Sequence, residues 1–315
     1  MPLPAFSFSL CLLSMPQRGT IYADLHNHTT ASDGAYSPTD VVQRAFERGV
    51  KAIAITDHDT VAGVEEAREA AKTRGMWFTS GIEISATLEG REIHILGYGL
   101  DTSNKALLDY AHETRQYRDD RAERMIALLR ERGVKKITMR DVREISGEGV
   151  IGRQHIAKAM WKRGLVKSVR EAFDKYLADE AFIQTVQREY PVEKAITLIH
   201  DAGGVAVLAH PARVISGEQF TSLLQAGLDG VELHHPSHDT DVCQLYTILA
   251  NEHHLLTTGG SDFHGGNKRD GSNIGRYGLM KDDFLPFAEA LTNRRHPTQQ
   301  PLKRVVAKIA HFFAE

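Results

Sequence analysis

Short apolar runs alternate with segments of helical spacing through the first hundred residues. Ser37 followed by Pro38 predicts a helix start, because serine caps a helix and proline suits its first turn. The apolar run at residues 51–56 is typical of a short buried strand. Residues 64–74 have helical spacing, and apolar segments on both sides of Gly90 predict a hairpin. This pattern indicates an α/β fold.

The pattern changes after residue 100. Residues 101–189 are rich in charge and have helical spacing, and the strand–helix alternation returns after Pro191. The simplest arrangement is a βα barrel formed by residues 20–100 and 190–290. An α-helical insertion domain over 101–189 interrupts that barrel.

The two ends of the chain lie outside this barrel. Residues 291–315 are amphipathic and predict a helix that packs on its own domain. The apolar start of the chain has no basic residue before Arg18, which argues against a secretory signal. We therefore expect residues 1–19 to be a disordered or misassigned tail, with Met15 as the alternative start.

The composition narrows the class of protein. The chain has 315 residues, of which 42% are hydrophobic and 25% charged, as in ordinary globular proteins. No apolar run approaches the roughly 18 residues of a membrane span. The net charge of -3 gives no global attraction for polyanions, so any nucleic-acid site must be local. Only 2 cysteines are present, which disfavours a disulfide framework and fits the cytoplasm.

Imidazoles and carboxylates cluster at the ends of the apolar runs, and no thiol accompanies them. The nine positions are His26, His28, Asp33, His58, Glu83, His94, His210, Asp262 and His264. A single histidine in a barrel is more often structural, but structural histidines would be scattered rather than gathered at strand ends. This donor set suits two or three divalent metals, with Mn most favoured and Fe or Zn as alternatives.

Spacing supports shared sites for these side chains. His26 and His28 alternate in an extended segment, so both can face one ion. Glu83 has two oxygens and can bridge two ions. Asp262 follows two glycines, which allow close approach of the backbone to a crowded centre.

The motifs HNH, TDH, GIE, IHILGY, AHP and GSDFH, in this order, resemble the PHP (polymerase and histidinol phosphatase) superfamily. The insertion with IGRQHIA resembles its TrpH or YciV-like branch, which includes a 3′,5′-nucleoside bisphosphate phosphatase and a 5′→3′ exoribonuclease. The resemblance implies a distorted (βα)7 barrel whose insertion caps the site. It also implies three metal sites, held by His26, His28, Glu83 and Asp262; by Glu83, His94 and His210; and by Asp33, His58 and His264.

A metal-activated hydroxide would attack phosphorus in line with the leaving oxygen, without a covalent enzyme intermediate. His235 or His155 could protonate the leaving alkoxide, and a third ion could do so through water.

Arginines of the insertion are the candidates for binding the substrate, because guanidinium groups match phosphate oxygens in pairs. Surface pairing with acidic neighbours is the alternative for those at three-residue steps. The candidate substrate-binding residues are Arg118, Arg121, Arg153, Arg213, His155 and Tyr36. For Tyr36 the choice is between stacking on a base and simple packing.

The leading hypothesis is a phosphatase that removes phosphate from nucleoside 3′,5′-bisphosphates. The alternative is 5′→3′ cleavage of short 5′-phosphorylated RNA. A histidinol phosphatase and a non-catalytic metal-binding module are less favoured hypotheses. Asp179 and Glu180 replace a basic pair common in related sequences, which weakens a grip on longer RNA. We predict no membrane and no obligatory protein partner.

Overall fold

The structure is a computed structural model of the chain and describes residues 21–179, 188–212, 214–266 and 272–293. Seven strands form one sheet in the order in which they occur along the chain. The strands are β1 (Ala23–Asp24), β2 (Ala52–Ile55), β3 (Trp77–Leu88), β4 (Arg91–Tyr98), β5 (Val205–Leu208), β6 (Gly230–His234) and β7 (Leu256–Gly259).

The sheet curves until its two edges meet. The Leu25 N–H after β1 donates to the Gly259 carbonyl of β7 at 3.1 Å, and His28 N–H donates to Phe263 carbonyl at 2.9 Å. Strands β1–β3 run parallel to one another, as do β5–β7, but β4 is antiparallel to both neighbours. The antiparallel β3–β4 hairpin distorts an otherwise parallel barrel, and the predicted distorted seven-stranded fold is confirmed.

Helices connect the strands and cover the barrel. Those of the barrel part are α1 (Pro38–Glu47), α2 (Val64–Thr73), α7 (Val192–Asp201), α8 (Gly217–Gln225), α9 (Thr240–His253) and α10 (Lys281–Asn293). The predicted start of α1 is found as expected: the Ser37 hydroxyl accepts from Asp40 N–H, and Pro38 is the first helical residue. No helix among the described residues is both long enough and apolar enough to cross a membrane.

Between β4 and α7, the described residues form four further helices. They are α3 (Lys105–Glu131), α4 (Met139–Ser146), α5 (Arg153–Lys162) and α6 (Val169–Ala172), with a π-helical turn over Phe173–Leu177. Their apolar side chains, such as Leu129, Ile137 and Met160, form a cluster separate from the barrel core. The boundaries 101–189 for an insertion domain stay a prediction. Residues 1–19 lie outside the described residues, as do 294–315 of the predicted C-terminal helix.

Helix α3 belongs to both hydrophobic clusters. Its first turns bury Leu107 and Tyr110 in the barrel core, and its later turns join the separate cluster. Between these two parts of the helix, the buried Arg118 forms an ion pair with the buried Asp59. Nε and Nη2 of Arg118 both donate to Oδ2 of Asp59, Nε at 2.8 Å. Tyr110 donates to the same carboxylate at 2.6 Å. Helix α3 is therefore fastened to the residue that follows His58.

We expect Arg118→Met to destabilise the protein by about 3–5 kcal/mol, because it leaves the Asp59 carboxylate buried without its cation. The measurement is the free energy of unfolding in urea. Arg115→Met on the same helix is the matched control, since Arg115 is exposed and pairs with an exposed Glu148; its cost should stay below about 1 kcal/mol. Equal effects of the two substitutions would contradict this role of Arg118.

Candidate metal centre

Nine polar side chains converge where the parallel strands end. His26, His58, His210 and Asp262 come just after β1, β2, β5 and β7. The hairpin contributes the other inner ligands, because Glu83 lies in β3 and His94 in β4. Asp33 comes from the turn that follows His28, and His264 lies two residues beyond Asp262. The structure thus brings together all nine positions predicted from the sequence.

Three groups of these side chains could each hold an ion, with ligand atoms within 4.8 Å of one another. The groups are His26, His28, Glu83 and Asp262; His28, Asp33, His58 and His264; and His58, Glu83 and His94. The first matches the set implied by the resemblance. In the others the geometry adds His28 to the Asp33 group and His58 to the Glu83–His94 group. His210 borders that last group, with its Nε2 3.3 Å from Nδ1 of His94.

Glu83 is the common member of two groups and lies at the centre. Its Oε2 faces His26 Nε2 at 3.4 Å, His28 Nε2 at 3.2 Å and His58 Nδ1 at 3.0 Å. Its Oε1 faces His94 Nδ1 at 2.8 Å and His210 Nε2 at 3.0 Å. One carboxylate directed at two sets of imidazoles is the geometry expected of a ligand that bridges two ions.

Unsatisfied atoms test whether these residues fit metal ions. Several buried nitrogens and oxygens of the centre have no hydrogen-bond partner, although such atoms normally find one. They are His26 Nε2, His28 Nδ1 and Nε2, Asp33 Oδ1, His58 Nδ1, Glu83 Oε2 and His235 Nε2. A cation would satisfy lone pairs that the protein leaves unused. The donor set of imidazoles and carboxylates without thiolate fits Mn²⁺, Fe²⁺ or Zn²⁺.

Electrostatics in the centre are those of buried opposite charges. Burial alone would raise the pKa of Glu83, but the imidazoles of His58, His94 and His26 hold it well below its ordinary value. Burial opposes the charged form of His94, yet Glu83 and Glu92 raise its pKa to about 10. Burial likewise opposes His264, whose pKa Asp33 and Asp262 raise to about 10. In the absence of metal, protons bound to His94 and His264 therefore supply part of the positive charge that metal ions would provide.

The backbone is tightly constrained around the centre. His210 and Asp262 have backbone φ angles of 26° and 48°. These angles lie in the left-handed region, which residues other than glycine rarely adopt. A Cβ atom on Gly260 would lie 2.3 Å from Cβ of His26, so only glycine allows β7 to approach β1 this closely. Strain of this kind clusters at functional sites.

Sequence reasoning missed Glu232. This fully buried carboxylate of β6 accepts from the backbone N–H of His210 at 2.8 Å, and its other oxygen lies 3.1 Å from His26 Nδ1. It therefore orients ligands of two groups without belonging to either. A carboxylate flanked by Val231 and Leu233 in a short strand was the available signal.

The predicted acids have different surroundings. Nδ1 of His235 accepts from Ser237 N–H at 3.0 Å, so the neutral ring carries its proton on Nε2, 3.3 Å from Asp262 Oδ2. His235 thus faces the centre. Burial lowers the pKa of His155 to about 4, and its Nδ1 accepts from Gly152 N–H.

The predicted substrate residues are dispersed. Arg118 is occupied by Asp59, whereas Arg121 and Arg153 lie on either side of Glu92, with Nη2 atoms 3.9 and 3.6 Å from its carboxylate. Tyr36 is stacked on Phe263 with an interplanar angle of 12°, beneath the guanidinium of Arg44. That contact favours the packing role over base stacking. Arg213 lies outside the described residues.

Comparisons with known proteins agree with this geometry. A family model described as PHP domain matches residues 24–214. A 5′-3′ exoribonuclease of Haemophilus influenzae is 36% identical over 76% of this chain and 89% of its own. A 3′,5′-nucleoside bisphosphate phosphatase of Chromobacterium violaceum is 35% identical over 76% and 86%. The crystal structure of a proposed metal-dependent phosphoesterase from Bifidobacterium adolescentis has a TM-score of 0.78 at 31% identity, covering 88% of this chain and 98% of its own.

We expect Glu232→Gln to weaken metal binding by about 10- to 100-fold, because it removes a carboxylate that orients two ligands. Calorimetric titration with Mn²⁺ measures this without turnover. Asp229→Asn is the matched control: Asp229 is a buried carboxylate beside the same strand, but it pairs with His200, away from the centre. Unchanged affinity in Glu232→Gln would contradict the positioning role.

Metal binding should release protons near pH 7.5. His94 and His264 have pKa values of about 10 in the metal-free protein and carry protons at that pH, whereas an imidazole must lose one to bind a metal. Affinity should therefore rise with pH. Titrations with Mn²⁺ in buffers of different ionisation enthalpy count the protons released, and a count of zero would contradict the expectation.

Proposed function

Because this chain belongs to the PHP domain family, we propose that the nine side chains described above form its catalytic centre. The family identified from the sequence motifs is confirmed, and the chain is a metal-dependent hydrolase of phosphate esters. The observation that supports this centre most directly is the set of buried, unpartnered ligand atoms gathered around Glu83.

We propose nucleoside 3′,5′-bisphosphates as the substrates, with the 3′ phosphate removed. The 35% identical relative bears the name of that activity. The 36% identical relative is named a 5′-3′ exoribonuclease, and this is the alternative function. Both reactions hydrolyse a phosphate ester beside a ribose, so one centre can serve either. The net charge of -3 provides no long-range attraction for a long polyanion, which favours the small nucleotide.

The residues of the centre have distinct roles in this proposal. His26, His28, Glu83 and Asp262 hold one ion; Glu83, His94, His210 and His58 surround a second; and Asp33, His58, His264 and His28 surround a third. When bound, divalent ions supply an activated water and neutralise charge on the phosphoryl oxygens. We propose Mn²⁺, with Fe²⁺ and Zn²⁺ as alternatives, and the cytoplasm as the compartment.

The protein must also deliver a proton to the leaving oxygen. His235 is the proposed partner of that oxygen, because its Nε2 lies 3.3 Å from Asp262 Oδ2 inside the centre, and a hydrogen bond from its Nε2–H can stabilise the leaving oxygen as that oxygen takes up a proton. His155 is less suited, since a pKa of about 4 leaves it unprotonated at neutral pH. Its contact with the Gly152 N–H instead stabilises the start of α5.

The proposal is tested by phosphate release from adenosine 3′,5′-bisphosphate with added Mn²⁺, beside a 5′-phosphorylated RNA pentamer and histidinol phosphate. We expect rapid turnover of the bisphosphate, loss of activity with a chelator, and no activity in Glu83→Gln, which removes the bridging charge. Glu193→Gln, on α7 away from the centre, is the control for a lost carboxylate.

The competing functions have separate signatures. A pentamer shortened from its 5′ end at a rate equal to or above that of the bisphosphate identifies the exoribonuclease. Preference for histidinol phosphate supports the third hypothesis. Bound metal with no hydrolysis of any of the three substrates would overturn the nucleotide proposal.

A further inference from the structure

A pocket opens between helix α3 and the β3–β4 hairpin, beside the centre already described. It is a narrow pocket that is open to solvent. Its polar lining includes Ser85, Glu92, Thr114, Tyr117, Arg121 and Arg188. Glu92 connects this pocket to the metal ligands, because its Oε1 lies 3.7 Å from His94 Nε2.

Arg121 is the unsatisfied member of the pocket. Its side chain is 9% exposed, yet its Nε and Nη2 have no hydrogen-bond partner. The nearest carboxylate oxygen, Glu92 Oε2, is 3.9 Å from Nη2, which is beyond hydrogen-bond distance. Nε and Nη2 form the edge of a guanidinium that pairs with two oxygens of one phosphate or carboxylate. A buried donor edge left open is costly unless an anion binds there.

Arg118, one turn earlier on the same helix, provides the contrast. Its Nε and Nη2 pair with Asp59, Nη2 also donates to Ser85 Oγ at 2.9 Å, and Nη1 donates to Ile151 carbonyl at 3.4 Å. The barrel thus occupies the corresponding edge of Arg118 and leaves that of Arg121 open. The open edge is a property of one position, not of the arginine-rich helix.

The surroundings favour an anion. Burial lowers the pKa of Arg121, and the nearby charges of Arg118 and Arg153 lower it further, against the opposing effect of Glu92. Arg188 also lines the pocket and donates to Thr114 Oγ1 at 2.6 Å. Three guanidinium groups, those of Arg118, Arg121 and Arg188, line the pocket against two carboxylates, those of Asp59 and Glu92. Because positive charge exceeds negative charge, an incoming phosphate would relieve repulsion among the guanidinium groups.

We propose that the Nε–Nη2 edge of Arg121 binds the phosphate of the substrate that is not hydrolysed. The inference rests on the proposed function, because it requires a second phosphate. The carboxylate of Glu92 lies 3.7 Å from His94 Nε2 through one oxygen and 3.9 Å from Arg121 Nη2 through the other. Only this carboxylate group therefore separates the candidate metal ligand from the open edge of Arg121. A ribose that carries phosphates on its 3′ and 5′ oxygens can span such a separation, whereas an ester with one phosphate cannot occupy both places.

In this proposal, the group bound by Arg121 is a 5′-phosphate that lies one ribose away from the phosphorus under attack. It occurs in a nucleoside 3′,5′-bisphosphate and at the start of a 5′-phosphorylated RNA. Two substrate pairs separate these sources: adenosine 3′,5′-bisphosphate against 3′-AMP, and a diadenosine dinucleotide with and without its 5′-phosphate. Within each pair the cleaved bond is the same and only the second phosphate differs.

The test is the kinetics of Arg121→Met and Arg121→Lys on both pairs with added Mn²⁺. We expect Arg121→Met to lower kcat/KM for the 5′-phosphorylated member about 10- to 100-fold, mainly through KM, because a charge-assisted pair is lost. The 5′-hydroxyl member should be affected less than about twofold. Arg121→Lys should recover only part of the loss, since lysine keeps the charge without the fork. Arg115→Met, on the same helix, should match the wild type.

A purely structural Arg121 predicts different results. Its loss would lower the thermal unfolding temperature and affect both members of a pair equally, and either finding in folded Arg121→Met or Arg121→Lys overturns the proposal. Equal 5′-phosphate preference in the wild type and Arg121→Met also overturns it. Failure of the proposed function is recognised separately, because the wild type itself would then hydrolyse neither pair.

Discussion

The carboxylate of Glu83 lies within 3.4 Å of five imidazoles, and the whole inner end of the barrel is arranged around this contact. A carboxylate with 1% exposure would be unstable in isolation, because burial removes the water that solvates its charge. Imidazoles from the segments after β1, β2 and β5, and from within β4, compensate for it, so these four segments must place their side chains at the same depth. The need to satisfy one buried charge thereby fixes the relative positions of five chain segments.

The antiparallel hairpin is the feature that makes this possible. Ligands at the ends of parallel strands can only form a rim, but β3 and β4 carry ligands within their length. Glu83 and Ser85 lie on one face of β3, and His94 is opposite Ser85 in the register. Glu92, two residues before His94 in the same strand, shares its face. The same hairpin therefore supplies the bridging carboxylate, a histidine ligand and the acid that borders the second pocket.

The convergence of the nine candidate ligands was predictable from the sequence, whereas the different surroundings of the arginines were not. Ligands follow strand ends, and strand ends follow from local apolar patterns, so short-range information locates His58 or His210. The difference between Arg118 and Arg121 depends on Asp59, which is 59 residues away from Arg118 along the chain. Spacing of three residues places both arginines near one face of α3 and cannot show which of them the barrel neutralises. Glu232 was missed for a similar reason, because its partners come from β1 and from the segment after β5.

Helix α3 connects the two parts of the site through a single face. Arg118 holds Asp59, which directly follows the ligand His58, and Arg121 leaves its donor edge open towards Glu92 and His94. Separation of α3 from the barrel would break the Arg118–Asp59 ion pair and would expose Leu107 and Tyr110, which pack in the barrel core. The position of the open edge of Arg121 relative to the centre is thus set by the same ion pair that fastens α3 to the barrel. In the proposed role of Arg121, this ion pair fixes how far the second phosphate lies from the phosphorus under attack.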